Sequence, residues 1–311
     1  MPMKQVLEIW ERLDSPAADG KQVTDLLRTR GCPDVYWEEV TGSRGSTDFV
    51  KAVFPGLKGR RAGGDAPTLG VIGRLGGVGA RPEVIGLVSD ADGAVAALAM
   101  ALKLADMYTL GDRLAGDIII ASHVCPDAPT QPHHPVPFMG SPVESAVMNK
   151  YEVDPAMDAI LSIDTTKGNR IINRRGFAIS PTVKDGYILR AADDLLDIMQ
   201  ITTGQLPAVF ALSTQDITPY GNQLHHINSI LQPSVATTAP VVGVAITAEV
   251  PVPGCATGAS HPGDVELAAR FCLEVAKAFT AGNCRFYDPA EYERLQTLYG
   301  SMAHLRTQGK S

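Results

Sequence analysis

Residues 88–98 read VSDADGAVAAL, and this stretch decides the fold. It closes an apolar run with acidic residues and then opens a segment of small residues with helical character. Asp90 and Asp92 therefore fall at the C-terminal end of a predicted strand and in the first turn of a predicted helix. Open α/β sheets build their functional sites at such junctions. The stretch predicts a strand followed by a helix, with a site between them.

Three later strands are followed by residues of a similar kind. The predicted strands are 117–124, 159–163 and 241–247, and the residues that follow them are Asp127, Asp164 and His261. Carboxylate oxygens and imidazole nitrogens are common ligands of divalent metal ions. Because parallel strands bring their C-terminal ends to one edge of a sheet, we expect these three side chains and Asp90 to form a metal site there.

Strands that alternate with helices predict a mainly parallel mixed sheet covered on both faces, in a three-layer α/β/α fold. Two helices at the start are separated by a break at 15–20. Further strands are predicted at 35–40, 48–53, 67–73, 170–179 and 207–213, and further helices at 92–108, 143–151, 192–201, 222–231, 263–279 and 289–305. We expect one domain, with a helical start and hairpin at 1–65, a core at 66–284 and a tail at 285–311.

The composition excludes several classes of partner. The chain has 311 residues and a net charge of -7, and it contains no run of lysine or arginine, which argues against nucleic acid or an acidic membrane as a partner. No apolar run is long enough to cross a membrane, and the opening MPMKQVLEIW is amphipathic, unlike a signal peptide. Five scattered cysteines indicate reduced thiols. We expect a cytoplasmic homo-oligomer, to which 287–305 contributes, with a small molecule or short peptide as substrate.

The order of these elements resembles the catalytic domain of co-catalytic zinc exopeptidases, especially the glutamyl and deblocking aminopeptidases. The resemblance is carried by Asp90 with Gly93, by IDTT at 163–166 and by SHP at 260–262. It implies a divalent cofactor, zinc or manganese, as one or two ions. It also implies that Asp90 bridges metals, that Asp127 and Asp164 are carboxylate ligands, and that His261 is the terminal histidine ligand.

Two departures from the exopeptidase pattern affect residues that the catalytic reaction of those enzymes requires. Arg74 stands where such enzymes have their first histidine ligand, and Pro126 and Asp127 stand where they have paired glutamates. The glutamate that serves as general base is therefore missing, and no catalytic residue is assigned. The lid or dimerisation domain usually inserted after the first histidine strand is also absent. Arg74 and Arg81, which flank a glycine-rich turn, are predicted to bind a substrate carboxylate.

Over the whole chain, three segments resemble the family of domain of unknown function 1177. They are GRLGGVGARP at 73–82, SHVCPDAP at 122–129 and PGCATGASH at 253–261. This resemblance names no activity.

Several residues remain open to more than one interpretation. Asp92, His123, His225 and His226 are candidates for additional metal ligands. The alternative for Asp92 is a charge at the N-terminus of a helix, and for the three histidines it is a surface or hydrogen-bonded side chain. The glycines at 73–79 come close to a dinucleotide-binding fingerprint, but no helix follows them directly. Cys255 near His261 suggests a thiol nucleophile on sequence proximity alone.

Two functions follow from these residues. The first is a metal-dependent, aminopeptidase-like hydrolase of small peptide- or amide-like substrates. The alternative is a pseudo-enzyme or small-anion-binding protein that retains the fold without hydrolytic activity.

Overall fold

The computed structural model describes residues 1–74, 76, 87–134, 137–252 and 258–309. Arg81, Cys255 and most of the glycine-rich turn predicted at 74–82 lie outside these ranges. The helices are α1 (Met3–Leu13), α2 (Gly20–Thr29), α3 (Asp92–Thr109), α4 (Ser145–Glu152), α5 (Asp193–Thr203), α6 (Pro262–Thr280) and α7 (Pro289–Tyr299). The strands are β1 (Asp34–Gly42), β2 (Gly45–Phe54), β3 (Leu69–Gly73), β4 (Ile118–Val124), β5 (Thr130–Gln131), β6 (Phe138–Met139), β7 (Ala159–Thr165), β8 (Gly176–Ile179), β9 (Val183–Lys184), β10 (Tyr187–Ile188) and β11 (Val241–Thr247).

The main sheet runs in the order β1-β2-β4-β3-β7-β11-β9-β10, and β8 also pairs with β11. Its centre is parallel, since β4, β3, β7 and β11 pair in one direction, while the β1–β2 hairpin adds to β4 antiparallel. The chain runs from β3 to β4 and then returns across β3 to β7. The strand order therefore reverses at β3, and ligands of open α/β sheets bind at such a switch point.

Helices cover both faces of this sheet. The helix α3 packs on β3, β4 and β7, with α1 and α6 beside it. On β2, Val50 belongs to the main core that includes α3, whereas its neighbour Phe49 packs with Met148 of α4. Because successive side chains of a strand point to opposite faces, α4 lies on the other side of the sheet. The predicted three-layer α/β/α fold is thus confirmed.

Close contact between α3 and the sheet depends on Gly93. A Cβ atom added there would lie 2.6 Å from the carbonyl oxygen of Ile163 and closer still to that of Arg74. The start of α3 is therefore pressed against the ends of β3 and β7, where only glycine fits. This contact explains why a glycine stands three residues after Asp90, and it holds Asp90 at the switch point.

Two elements predicted from the sequence are wrong. The segment 207–213 makes a single bridge, between Val209 and Ile179, because a turn built on Ser213 and Asp216 redirects the chain. The segment 222–231 is a loop. Carboxylate oxygens of Asp216 accept the backbone N–H groups of Ser213 (2.9 Å) and Ile227 (2.7 Å), and such side-chain contacts compete with a helix.

A third element is shorter than predicted. The strand expected at 170–179 begins only at Gly176, as β8. Before it, the side-chain oxygen of Asn169 accepts the backbone N–H groups of Ile171 and Ile172, both at 2.8 Å, which holds this part of the chain in a loop. The other predicted helices and strands within the described ranges are present with shifted ends.

Other expectations from the sequence concern the cysteines, the membrane and the tail. Cys32, Cys125, Cys272 and Cys284 are buried free thiols. No helix among the described residues is long and apolar enough to span a bilayer. In the tail, α7 has no buried residue, and its contribution to a homo-oligomer stays a prediction.

Candidate functional site

A cleft of about 700 Å³ opens beside the C-terminal ends of the central strands. Its floor carries Asp90, Asp164 and Lys167, and one of its walls carries Tyr220 and Ser229. Asp90 lies beyond β3, Asp164 is the penultimate residue of β7, and Lys167 follows β7. On the wall, Ser229 belongs to the loop that replaces the predicted helix at 222–231, and Tyr220 lies just before this loop. The cleft therefore lies at the topological switch point, where the sequence predicts the site.

Asp90 lies in a single 3-10 turn, Ser89–Ala91, directly before α3. The hydroxyl of Thr165, at the end of β7, donates to the carbonyl oxygen of Ser89 at 2.8 Å and fixes this turn against the sheet. Asp90 is 5% exposed, and its Oδ2 atom has no hydrogen-bond partner among the described residues. Burial, and next the charges of Asp164 and Asp92, raise the pKa of Asp90 well above its usual value.

Asp164 is fixed by hydrogen bonds to both of its oxygens. Its Oδ1 accepts the backbone N–H of Thr165 at 2.7 Å, and its Oδ2 accepts the hydroxyl of Ser229 at 2.8 Å. Burial raises the pKa of Asp164 to about 6, while the Ser229 hydrogen bond and the charge of Arg74 act in the opposite direction. Tyr220 lines the same part of the cleft, and burial raises the pKa of its phenol.

Asp92 has different partners from Asp90. Both of its oxygens accept hydrogen bonds, one from the ammonium of Lys167 and the other from the hydroxyl of Ser260. Lys167 is also buried and donates a second hydrogen bond, of 2.6 Å, to the carbonyl oxygen of Ala259. The extra ligand predicted at Asp92 is thus a carboxylate already held by a buried cation.

A second buried charge network lies behind the cleft. Arg74 and Glu152 are both fully buried, with Nε and Oε2 2.9 Å apart, and the guanidinium also donates to Asn149. The Oε1 atom of Glu152 lies 2.7 Å from Nδ1 of His123. Because the N–H of Gly76 donates to Nε2 of the same ring at 3.0 Å, Nδ1 must carry the hydrogen and the imidazole is neutral.

This network bears on two roles predicted from the sequence. The guanidinium of Arg74 is bound by Glu152 and Asn149, so binding a substrate carboxylate would require these contacts to be exchanged. The imidazole of His123 has both nitrogens engaged within the protein, as expected of a hydrogen-bonded core histidine.

The other predicted ligands are more exposed. Asp127 lies beyond the end of β4, and His261 precedes α6; both are exposed. His225 and His226 line the cleft wall, and Nε2 of His226 lies 3.1 Å from the carbonyl oxygen of Thr218. Within the described residues, no three His, Cys, Asp or Glu side chains are grouped closely enough to hold a metal ion. The structure brings together Asp90 and Asp164, and the four-ligand metal site stays a prediction.

Four residues of this region were not identified from the sequence. Lys167 follows Asp164 by three positions in IDTTKG, and that short spacing after a strand was a usable signal. Glu152 ends α4, while Tyr220 and Ser229 belong to a loop. These three residues carry no local pattern, since only the tertiary fold brings them to the strand ends.

The fold is similar to that of leucine aminopeptidase from Caenorhabditis elegans, with a TM-score of 0.54 and 11% sequence identity. The match covers 89% of this chain and 65% of the leucine aminopeptidase chain, so this chain spans less than two thirds of that protein's length. At this level of identity the similarity shows the fold alone. A search of the curated proteins finds no match.

Sequence similarity gives the family. Residues 38–309 match the family described as protein of unknown function, DUF1177. The match includes the three segments at 73–82, 122–129 and 253–261, which carry the resemblance in the sequence. The chain therefore belongs to the DUF1177 family of proteins of unknown function, and it has an aminopeptidase-like fold.

Proposed function

We propose that the protein is a metal-dependent hydrolase of small peptide- or amide-like substrates, which bind in the cleft above Asp90 and Asp164. The two carboxylates hold one divalent cation, zinc or manganese. The observation that carries the proposal is the buried Oδ2 atom of Asp90, which faces no donor among the described residues and interacts with the charge of Asp164.

Two buried carboxylates in one site need a compensating positive charge. Desolvation and mutual repulsion make their joint ionisation unfavourable, so the pair holds either a proton or a cation. An unsatisfied buried carboxylate oxygen is costly in a stable fold, and such atoms are typical of sites that bind a ligand. A divalent cation would give the Oδ2 atom of Asp90 its missing partner.

The charges around the site support one ion rather than two. Among the described residues, the buried cations Arg74 and Lys167 are paired with Glu152 and Asp92, so Asp90 and Asp164 are left as a difference of two negative charges in the cleft. His123 adds no charge because its ring is neutral. A single divalent cation neutralises this difference. The Arg74 guanidinium stands where the resemblance to zinc exopeptidases expects a histidine ligand, and its positive charge disfavours a second ion nearby.

When bound, the cation would polarise a substrate carbonyl and lower the pKa of a bound water. The chain's own residues orient the site. Ser229 and the Thr165 N–H hold the Asp164 carboxylate in one orientation, and Thr165 holds the turn that carries Asp90. The cleft volume of about 700 Å³ is large enough for a small peptide.

The test is the metal content of the full chain, purified without chelator, followed by turnover of a panel of aminoacyl amides and dipeptides. We expect one zinc or manganese ion per chain, lost in Asp90→Asn and retained in Asp112→Asn, an exposed aspartate that precedes the N-terminal end of β4, whereas the cleft lies at the C-terminal strand ends. Two ions per chain, or equal metal content in both variants, would contradict the assignment. One ion with no turnover of any substrate would favour the binding protein that lacks hydrolytic activity.

A further inference from the structure

We propose that Thr166 and Lys167 form a subsite that binds the carbonyl oxygen of the substrate in this cleft. The inference rests on the proposed function, because it assigns a place to one atom of an amide-like substrate. Both residues line the cleft and directly follow the end of β7.

The first observation is an unused hydroxyl. Thr166 is 8% exposed, and its Oγ1 atom is buried without a hydrogen-bond partner among the described residues. A hydroxyl can donate one hydrogen bond, and leaving it unpaired in the interior costs stability. A carbonyl oxygen in the cleft would accept this bond.

The second observation is an unused ammonium proton. Lys167 has three N–H donors, and the described acceptors are two, a carboxylate oxygen of Asp92 and the carbonyl oxygen of Ala259. Within the part of the chain that the structure describes, one donor of the ammonium is therefore left for a further acceptor. Its charge also reaches the floor of the cleft, since it acts on the ionisation of Asp90.

The backbone fixes both donors before a ligand arrives. The N–H of Thr166 donates to the carbonyl oxygen of Ile246 at 2.8 Å, and the carbonyl oxygen of Lys167 accepts the N–H of Val252 at 2.9 Å. The two residues are thus held against the end of β11. Preorganised donors of this kind stabilise negative charge that develops on a carbonyl oxygen.

The hydrogen bonds of Lys167 also explain why its ammonium does not form an ion pair with Asp90. The Lys167 ammonium donates to Asp92, and the Oδ2 atom of Asp90 has no hydrogen-bond partner among the described residues. The cleft therefore presents donors at one position and an acceptor at another. A carbonyl oxygen fits the donors, and a cation fits the acceptor.

Thr166 is tested with the full chain by calorimetric titration of leucinamide, together with thermal unfolding. We expect Thr166→Val to weaken leucinamide binding about fivefold, the loss of one hydrogen bond, without lowering Tm, because the hydroxyl has no partner in the free protein. Thr166→Ser keeps the hydroxyl and should bind within about twofold of the wild type. The matched control is Thr24→Val, which removes another buried unpartnered hydroxyl, on α2, and should leave binding unchanged.

Lys167 is tested as the double variant Lys167→Gln with Asp92→Asn, which avoids leaving one buried charge alone. We expect at least about tenfold weaker leucinamide binding than in the wild type, since a charged donor contributes more than a neutral one. Three results would each overturn the subsite. The first is equal leucinamide binding in Thr166→Val and Thr24→Val, and the second is a lower Tm for Thr166→Val with unchanged binding. The third is no leucinamide binding by the wild type. Leucinamide binding that depends on Thr166 in a protein without metal or turnover would overturn the proposed hydrolase alone.

Discussion

The Nε atom of Arg74 lies 2.9 Å from Oε2 of Glu152, and neither side chain has any exposed surface. The pair joins the end of β3 to the end of α4, which lie on different layers of the fold. Since the same glutamate also accepts from His123, one carboxylate organises three elements around the back of the cleft.

Replacing this glutamate should therefore be strongly destabilising. Glu152→Gln leaves the Arg74 charge buried without a counter-charge, and we expect a loss of about 3–5 kcal/mol in the free energy of unfolding. Urea denaturation measures the loss. The control is Arg61→Gln, which breaks a pair with Asp34 in which both side chains are about half exposed and which should contribute less than about 1 kcal/mol. Similar losses in the two variants would contradict the role of the buried pair.

Asp90 and Asp92 should affect stability in opposite directions. In chelator at pH 8, Asp90→Asn removes the cost of a buried, unpaired carboxylate, and we expect a higher Tm than in the wild type. Asp92→Ala leaves the buried Lys167 ammonium unpaired, and we expect a markedly lower Tm. Thermal unfolding of the two variants measures both shifts in Tm. A fall in Tm of the same size in both variants would contradict the different roles of Asp90 and Asp92.

The stability of the metal-free protein should decrease as pH rises. Burial raises the pKa of Asp164 from its ordinary value of 3.8 to about 6, so the native state binds this proton more tightly than the unfolded state. The free energy of unfolding therefore falls between about pH 4 and pH 6 and then levels off for this group. Asp90, with a pKa raised in the same direction, extends the fall to higher pH.

Urea denaturation across this pH range, in chelator, tests the assignment. Asp164→Asn should reduce the fall between about pH 4 and pH 6, whereas Asp112→Asn should leave it unchanged. A slope that is the same in Asp164→Asn and in the wild type would show that the pKa of Asp164 is not raised in the native state.

The contact at Gly93 predicts a position that tolerates no side chain. Gly93→Ala would place a Cβ atom 2.6 Å from the carbonyl oxygen of Ile163, so α3 must shift away from the sheet and carry Asp90 with it. We expect a loss of more than about 2 kcal/mol in stability, together with loss of metal binding. Gly263→Ala is the control, because a Cβ at that position in α6 meets no atom within 4 Å. Normal metal binding in a folded Gly93→Ala protein would contradict the coupling between this contact and the site.

The sequence predicts much of the architecture because the central elements carry strong local patterns. The apolar runs of β3, β4, β7 and β11, and the small residues of α3, specify a buried parallel sheet covered by a helix. Asp90 and Asp164 are found for the same reason, since each is predicted at the end of a strand; Asp164 is the penultimate residue of β7, while most of the apolar run predicted before Asp90 lies outside the described residues. By contrast, the segment 207–231 contains enough apolar residues to suggest a strand and a helix, and side-chain hydrogen bonds from Asp216 decide its conformation.

The back of the cleft is harder to predict. Glu152 reaches Arg74 and His123 only because the chain crosses from β4 over β3 to β7, and no spacing in the sequence encodes that crossing. Lys167 is closer to a recognised pattern, but its partner Asp92 is 75 positions away. From sequence alone, a single lysine or glutamate is expected to lie at the surface in contact with water. Only the folded topology brings these residues next to partners of opposite charge.

The wall of the cleft has a consequence for how this family can diversify. Asp216 holds the ends of the loop together by accepting the N–H groups of Ser213 and Ile227, and the loop between them carries Tyr220, His225 and His226 toward the cleft. Insertions or exchanges between these anchor points would alter the cleft without disturbing a strand. The shape of this wall can therefore change independently of the acidic floor and of the sheet beneath it, because surface loops tolerate substitution and insertion better than buried strands do.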